Sequence, residues 1–191
     1  KINDLKEFAM EIDPRTVNYQ DFDTYANLGV DRISFGVQDF DAEVQKKINR
    51  IQPFELIESL MINQIKKKFK GVNFDLLYGL PMQTRDTFKN TVELTKKLSP
   101  ERITLIKYSH IPNKRKHMKM IKEEDLPNIR DLPYMFTEAT KSFIQDGYTW
   151  VGIDHFAKPT DELSIATKEK KVGRHFGGEH PGYTTDIIGL G

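Results

Sequence analysis

The chain has 191 residues, of which 38% are hydrophobic and 30% are charged. This composition is typical of a folded globular domain and excludes a disordered chain. Its net charge of +1 gives no global attraction to polyanions, and no apolar run reaches membrane length, so we expect neither a nucleic-acid partner nor a membrane segment. Having no cysteine, the chain itself holds no disulfide, thiol nucleophile or thiolate-bound cluster. We expect a cytoplasmic protein.

Apolar runs typical of strands alternate with segments of helical period, and this alternation predicts parallel strand–helix units. Pro53 suits the first turn of one helix and Thr84 the N-cap of the next. In chain order the predicted elements are a strand at 8–12, a helix at 20–27, a strand at 32–36, helices at 42–48 and 53–68, a strand at 72–78, a helix at 85–98, a strand at 102–107, a helix at 133–146 and a strand at 149–153.

The number of predicted units is too small for a closed barrel. Four strand–helix units and one extra strand fall short of the eight units of a TIM barrel. The predicted fold is therefore α/β, an incomplete TIM-type barrel of parallel strands and helices, and we expect the chain to be a piece of a larger protein. We divide it into residues 1–153, the middle and later barrel units, and residues 154–191, the start of the segment that follows the barrel core.

Polar side chains stand near the carboxyl ends of the predicted strands, where α/β barrels build active sites. Asp75 is the most informative, because it interrupts an apolar run in which a carboxylate needs a donor or a ligand to offset desolvation. Taken singly, Glu11 could be an edge-strand acid facing water, and Gln38 could be a solvated loop amide. Tyr108 and His110 complete this group.

Other candidates have both a functional and a structural explanation. Arg50 could bind a carboxylate with two guanidinium arms, or it could interact with the carboxyl end of a short helix. His155 could reach the site or make a purely structural hydrogen bond. The basic stretch at 112–122 could meet a polyanionic small molecule, although the three acids that follow favour a solvated helix face. The glycines at 173–191 lack phosphate-loop spacing.

Several segments together carry a family resemblance. They are Glu-Ile-Asp-Pro-Arg at 11–15, Arg-Ile-Ser-Phe-Gly-Val-Gln-Asp-Phe at 32–40, Asn-Arg at 49–50, Asp-Leu-Leu-Tyr-Gly-Leu-Pro at 75–81, Tyr-Ser-His-Ile-Pro at 108–112 and Ile-Asp-His-Phe-Ala-Lys-Pro at 153–159. Over nearly its whole length the chain resembles the oxygen-independent coproporphyrinogen III oxidases, which are radical S-adenosylmethionine (SAM) enzymes of haem biosynthesis. The predicted barrel is then a partial radical SAM barrel.

The resemblance implies a set of SAM-binding residues. They are Glu11, Gln38, Arg50 and Asp75, joined by the backbone at Ser109. Acids and amides can hold ribose hydroxyls and the methionine ammonium, whereas an arginine can take the methionine carboxylate. The resemblance assigns no catalytic residue and no metal ligand within this chain.

The reaction implied by the resemblance converts two propionate side chains of coproporphyrinogen III to vinyl groups, giving protoporphyrinogen IX. A 4Fe-4S cluster cleaves SAM reductively, the resulting radical removes a hydrogen atom from a propionate, and carbon dioxide leaves. We therefore expect SAM and a 4Fe-4S cluster as cofactors, coproporphyrinogen III as substrate, an electron donor as partner, and a monomeric protein.

Two features depart from the family pattern. The Cys-x-x-x-Cys-x-x-Cys loop is absent, so we expect the cluster ligands outside this chain and an inactive chain without them. At 176–186, Phe-Gly-Gly-Glu-His-Pro-Gly precedes Tyr-Thr-Thr-Asp, where the family has Gln-Gly-Tyr-Thr-Thr after an aromatic residue, and no role is assigned there. Two alternatives stay open: a haem chaperone of the same superfamily, and a barrel enzyme that needs no cluster.

Overall fold

The structure is a computed structural model that describes residues 7–61, 65, 68–175, 177–182 and 186–189. Within these residues the main sheet has six strands: β1 (Ala9–Ile12), β2 (Arg32–Gln38), β3 (Gly71–Tyr78), β4 (Arg102–Lys107), β5 (Thr149–Gly152) and β6 (His155–Ala157). Their order across the sheet is β1-β2-β3-β4-β6-β5. A separate hairpin follows, formed by β7 (Val172–His175) and β8 (Gly178–Pro181).

Helices fill the connections between the strands. They are α1 (Tyr19–Asn27), α2 (Ala42–Lys47), α3 (Phe54–Leu60), α4 (Arg85–Leu98), α5 (Asp131–Gln145) and α6 (Glu162–Lys168), with 3-10 turns at Lys116–Met120 and Glu123–Asp125. Thr84 caps α4 as predicted, since its hydroxyl accepts the Thr87 N–H at 3.1 Å. Among the described residues, no helix combines the length and the apolar character that crossing a bilayer requires.

The strand directions confirm the parallel units and reveal one exception. Strands β1 to β4 are parallel to one another, as the alternation predicts. Residues 155–157 form an unpredicted strand, β6, which is antiparallel to both β4 and β5 and lies between them. The prediction of parallel units alone is wrong here, because the two residues between Gly152 and His155 reverse the chain and a three-residue strand is too short to show alternation.

The predicted boundaries agree with the structure to within two residues, apart from the third helix. Pro53 precedes α3 and is not inside its first turn. The remainder of the helix predicted at 53–68 includes positions 62–64 and 66–67, which lie outside the described residues. The division of the chain at residue 153 stays a prediction; β6, just beyond it, pairs in the same sheet as β5.

One face of the sheet forms the hydrophobic core. Its fully buried side chains include Ile33, Phe35, Val72, Phe74 and Ile103. Aromatic rings tie helices to this face: Phe22 of α1 lies 6.1 Å from Phe35, and Phe143 of α5 lies 5.3 Å from Phe156, measured between ring centroids. Burying each such ring stabilises the fold by about 1.5–3 kcal/mol, so this face anchors the helices to the sheet.

The opposite face of the same strands is polar. Strand alternation puts every second residue on this face, and the register places Glu11 beside Ser34, Ser34 beside Asn73, and Asp75 beside Thr104. Because β1 to β4 are parallel, their carboxyl ends meet at one edge. The fold therefore delivers a row of polar side chains to a single edge of the sheet.

Candidate functional site

A polar cavity of about 320 Å³ lies at the carboxyl ends of β1, β2 and β3. Its lining residues are Glu11, Ile12, Asp13, Ser34, Gly36, Gln38, Arg50 and Asp75. Four of the five residues that the sequence nominates thus line one cavity. A larger groove of about 500 Å³, between the start of α4 and the connection after β4, contains none of the five.

Asp75 has the hydrogen-bond donors that its position in an apolar strand requires. Ser34 Oγ donates to Asp75 Oδ2 at 3.1 Å, and Asn73 Nδ2 donates to Asp75 Oδ1 at 2.8 Å. Asn73 also donates to Ser34 Oγ at 2.8 Å, so the three side chains hold one another. Each carboxylate oxygen can accept a second bond, which leaves Asp75 fixed in orientation and able to bind a donor from the cavity.

Gln38 owes its orientation to an irregularity in β2. The register between β2 and β3 shifts between Gly36 and Gln38, and Gln38 adopts a left-handed backbone with φ of 64°. A bulge of this kind redirects a side chain, and left-handed non-glycine residues concentrate at functional sites. Gly36 makes room for the result, because a Cβ at Gly36 would lie 2.6 Å from Gln38 Nε2 and 3.1 Å from Arg50 Nη2.

Arg50 is held by three different parts of the chain. Its Nη2 donates to the Gly36 carbonyl at 2.9 Å, its Nε donates to Gln52 Oε1 at 3.0 Å, and its Nη1 lies 3.3 Å from Asp13 Oδ2. Its side chain is 22% exposed, and burial lowers the pKa of the guanidinium from its usual value. A hydrogen bond from Arg15, with a further contribution from Arg50, lowers the pKa of Asp13 to about 2.

A buried amide network behind the cavity fixes the loop that carries Arg50. Gln45 Nε2 donates to the carbonyls of Asp39 and Gln52, and Gln45 Oε1 accepts the Gln52 N–H at 2.9 Å. Gln52 Nε2 in turn donates to the carbonyls of Gly36 and Val37. Sequence reasoning missed this network, although the glutamines on either side of Arg50 were a visible signal.

Asp39 is a second missed residue, buried directly after the bulge. Its carboxylate accepts from Gln83 Nε2 at 2.5 Å, Thr91 Oγ1 at 3.0 Å and the Asp41 N–H at 2.6 Å. All three donors are neutral, and burial raises the pKa of Asp39 to about 6. Gln83 also accepts the Gly79 N–H at 2.6 Å, so Asp39 connects the β2 end to the turn after β3.

The remaining candidates lie in different surroundings. Glu11 is exposed on the edge strand β1 and lines the cavity. Ser109 follows β4, is exposed and does not line the cavity. Tyr108 and His110 do not line the cavity either, and Tyr108 Oη lies 3.2 Å from His110 Nδ1. His155 lies in β6 opposite Thr104, in the same row of the sheet as Asp75 but two strands away.

Acids that follow the basic stretch at 112–122 form ion pairs with lysines inside and outside that stretch. Lys122 pairs with Glu124 at 3.0 Å, and Asp125 pairs with Lys47 of α2 at 2.5 Å. The Asp125 carbonyl also accepts the Met82 N–H at 2.7 Å. Through these contacts the segment that follows β4 packs on the loops at the carboxyl end of the sheet. Residues 112–122 of this segment are mostly exposed.

Comparison with known proteins identifies the superfamily. Residues 1–95 match the radical SAM superfamily. The oxygen-independent coproporphyrinogen III oxidase of Helicobacter pylori is 41% identical over 97% of this chain and 40% of its own length, and that of Pseudomonas aeruginosa is 37% identical over 99% and 41%. The chain thus spans about two fifths of the length of these curated relatives.

A solved structure shows the same fold. The coproporphyrinogen III oxidase of Escherichia coli, a radical SAM enzyme, superimposes with a TM-score of 0.92 at 37% identity, covering 97% of this chain and 43% of that one. The mainly parallel sheet with its helices is accordingly part of a TIM-type radical SAM barrel. The chain belongs to the radical SAM superfamily, where it is similar over nearly its whole length to oxygen-independent coproporphyrinogen III oxidases.

Proposed function

We propose that the protein containing this chain catalyses the oxygen-independent oxidative decarboxylation of coproporphyrinogen III to protoporphyrinogen IX, using SAM. The observation that carries the proposal is the cavity in which Glu11, Gln38, Arg50 and Asp75 converge at the carboxyl ends of parallel strands. The printed names of the relatives support the substrate and the reaction.

The residues of the cavity fit SAM in type and in charge. SAM carries an ammonium, a carboxylate, a sulfonium and ribose hydroxyls. Asp75 and Glu11 provide acceptors for the ammonium and the hydroxyls, Gln38 can both donate and accept, and Arg50 suits the carboxylate. The missing side chain at Gly36 gives room for the ends of Gln38 and Arg50, both of which a Cβ would crowd. We assign SAM binding to these four side chains, with a backbone contribution from Ser109.

The rest of the proposal follows the family pattern. When bound, SAM and a 4Fe-4S cluster supply the radical that initiates decarboxylation. The chain contains no cysteine, so its part is to bind and orient SAM, while cysteine ligands for the cluster come from elsewhere in the protein. We also propose a monomeric cytoplasmic enzyme that receives its electron from a separate donor, with residues 1–153 as barrel units and 154–191 as the start of the next segment.

Asp75→Asn tests the SAM site. The substitution keeps the shape of the side chain and removes its charge. In the full-length protein with its cluster in place, the Kd for SAM should rise about ten- to a hundredfold, the cost of losing a hydrogen bond to a charged group, while iron and sulfide content stay unchanged. Asp146→Asn, at an exposed acid beyond α5, is the matched control and should leave the Kd unchanged.

An anaerobic assay tests the reaction itself. Full-length protein, two equivalents of SAM, a reductant and coproporphyrinogen III should yield protoporphyrinogen IX and two molecules of carbon dioxide, together with two molecules each of methionine and 5′-deoxyadenosine. An electron acceptor in the assay takes up the electron that remains on each substrate radical as carbon dioxide leaves. Unchanged SAM affinity in Asp75→Asn would refute the assigned site. SAM binding without any vinyl product would refute the reaction but leave the site intact.

A further inference from the structure

A second cluster of potential ligands lies away from the SAM cavity, where the β7–β8 hairpin meets the sheet. Asp154 and His155 stand at the turn into β6, and Glu179 reaches them from β8. His155 Nδ1 lies 2.7 Å from Asp154 Oδ1 and also 2.7 Å from Glu179 Oε2. The three ligand atoms all lie within 4.8 Å of one another. A nitrogen and two carboxylate oxygens thus converge on one point.

The cluster leaves one buried carboxylate oxygen without a hydrogen-bond donor. If the neutral imidazole of His155 carries its proton on Nδ1, this single N–H donates a hydrogen bond to Asp154 Oδ1. Glu179 Oε2 has no hydrogen-bond partner of its own, although only 6% of the Glu179 side chain is exposed. A buried acceptor of this kind is costly unless something positive satisfies it.

Arg174 satisfies only the other oxygen of Glu179. Its Nη1 pairs with Glu179 Oε1 and lies 3.7 Å from Asp154 Oδ1. Its side chain is about half exposed, so its charge is shared with solvent. Two carboxylates with one arginine still carry a negative charge when His155 is neutral, and Oε2 faces the ring nitrogen.

We propose that Asp154, His155 and Glu179 bind a divalent transition-metal ion of the zinc class. Imidazole nitrogen and carboxylate oxygen are ordinary zinc ligands, at about 2.0–2.2 Å from the metal. The ion takes the place of the Nδ1 proton, which passes to solvent, and the 2.7 Å contacts widen by roughly half an ångström to tetrahedral spacing. Water completes the coordination.

The surroundings of the imidazole favour a fixed geometry. A Cβ at Gly178 would lie 2.6 Å from His155 Nε2, so the hairpin backbone packs directly against the ring. Close packing holds the ring so that Nδ1 faces both carboxylates. A bound ion would join the edge of the main sheet to the β7–β8 hairpin, at a site independent of SAM and made partly from the segment that departs from the family pattern.

Zinc titration of the full-length protein with its iron–sulfur cluster in place tests this site. Isothermal titration with zinc chloride should detect a site that Glu179→Gln and His155→Ala each weaken by about a hundredfold or more, with one equivalent of zinc fewer than in the unmodified protein. Comparing variants removes any constant contribution from a cluster elsewhere in the protein. Far-UV circular dichroism checks folding, and Glu179→Gln alone decides the question if His155→Ala fails to fold.

His180→Ala is the matched control. His180 is the neighbour of Glu179 on β8, and its ring stacks on His175 with centroids 4.7 Å apart. The proposal requires this variant to keep the zinc site. It is overturned by an absence of zinc binding in the unmodified protein, by undiminished binding in Glu179→Gln, or by a loss confined to His180→Ala.

Discussion

The two ends of the polar sheet face use charge in opposite ways. At the amino end, Arg32 of β2 and Arg102 of β4 are buried and share three acids. Asp161 lies 3.3 Å from Arg32 Nη1 and 2.9 Å from Arg102 Nη2, while Glu7 and Glu162 complete the network at 2.8 and 3.1 Å from Arg32. Every charged group in this network has an opposite charge in contact with it.

At the carboxyl end, the charged groups are separated and open to a cavity. Asp75 is held by neutral donors, and Glu11 is exposed. Arg50 contacts Asp13, but that acid is shared with Arg15. Ion pairs such as those of Asp161 stabilise the fold, because each charge is already neutralised by its partner. A charged group that is oriented only by neutral donors, such as Asp75, can still bind a charged ligand. The comparison therefore predicts stability effects at the amino end and binding effects at the carboxyl end.

Asp161→Asn should give the largest effect. The Asp161 side chain is 3% exposed and forms ion pairs with two buried arginines, Arg32 and Arg102. Removing its negative charge therefore leaves each arginine with one ion-pair partner fewer. Asparagine retains an oxygen that can accept the Leu163 N–H at the start of α6. We expect the free energy of unfolding to fall by about 3–5 kcal/mol, measured by urea denaturation. A loss below 1 kcal/mol would contradict the role given to this network.

Asp39 should make the stability of the protein depend on pH. Its pKa is raised from 3.8 to about 6 in the folded protein, so the folded state holds this proton more tightly than the unfolded chain does. Stability should therefore fall as pH rises from about 4 to 6 and level off above, by about 3 kcal/mol at about 1.4 kcal/mol for each pH unit.

Urea denaturation across this pH range compares the unmodified protein with Asp39→Asn. The variant has no carboxyl group to titrate at this position, so the contribution of Asp39 to the slope should disappear. The absolute stability of the variant is not the readout, because asparagine also changes the bond to Gln83. An identical slope in both proteins would show that Asp39 does not titrate as proposed.

Gly36→Ala should affect binding more than stability. The added Cβ would approach Gln38 Nε2 and Arg50 Nη2, the far ends of two side chains that can move into the open cavity. We expect the Kd for SAM to rise about tenfold, or about 1.4 kcal/mol, with little change in the urea midpoint. Gly189→Ala, where a Cβ would meet nothing within 4 Å, is the control. A large loss of stability with normal SAM affinity would reverse the interpretation.

Glu162→Gln should give the smallest effect. Glu162 belongs to the same network as Asp161, but its side chain is 49% exposed. Solvent screens its pairs with Arg32 and Arg102, so we expect a loss of up to about 1 kcal/mol that shrinks further at high salt. Because Asp161 and Glu162 belong to the same network, a larger loss of stability in Asp161→Asn than in Glu162→Gln reflects the deeper burial of Asp161.

The local sequence predicted most of the fold, because its signals are short-range. Alternation of apolar runs located β1 to β4, and Thr84 marked the start of α4 as its N-cap. Polar residues at strand ends nominated Glu11, Gln38 and Asp75, the family resemblance added Arg50, and the structure brings all four to one cavity. Ser109 lies outside its lining, and its assigned role stays a prediction.

Tertiary structure alone decided the contacts between distant segments. The donors to Asp75 come partly from Ser34, 41 positions earlier, and Asp39 meets Gln83 across 44 positions. The placement of β6 and the approach of Glu179 to His155 depend on a chain reversal that has no periodic signal. A sequence determines which residues alternate and where a helix is capped, because neighbours in the chain set those preferences. Only packing decides which polar groups from separate strands satisfy one another.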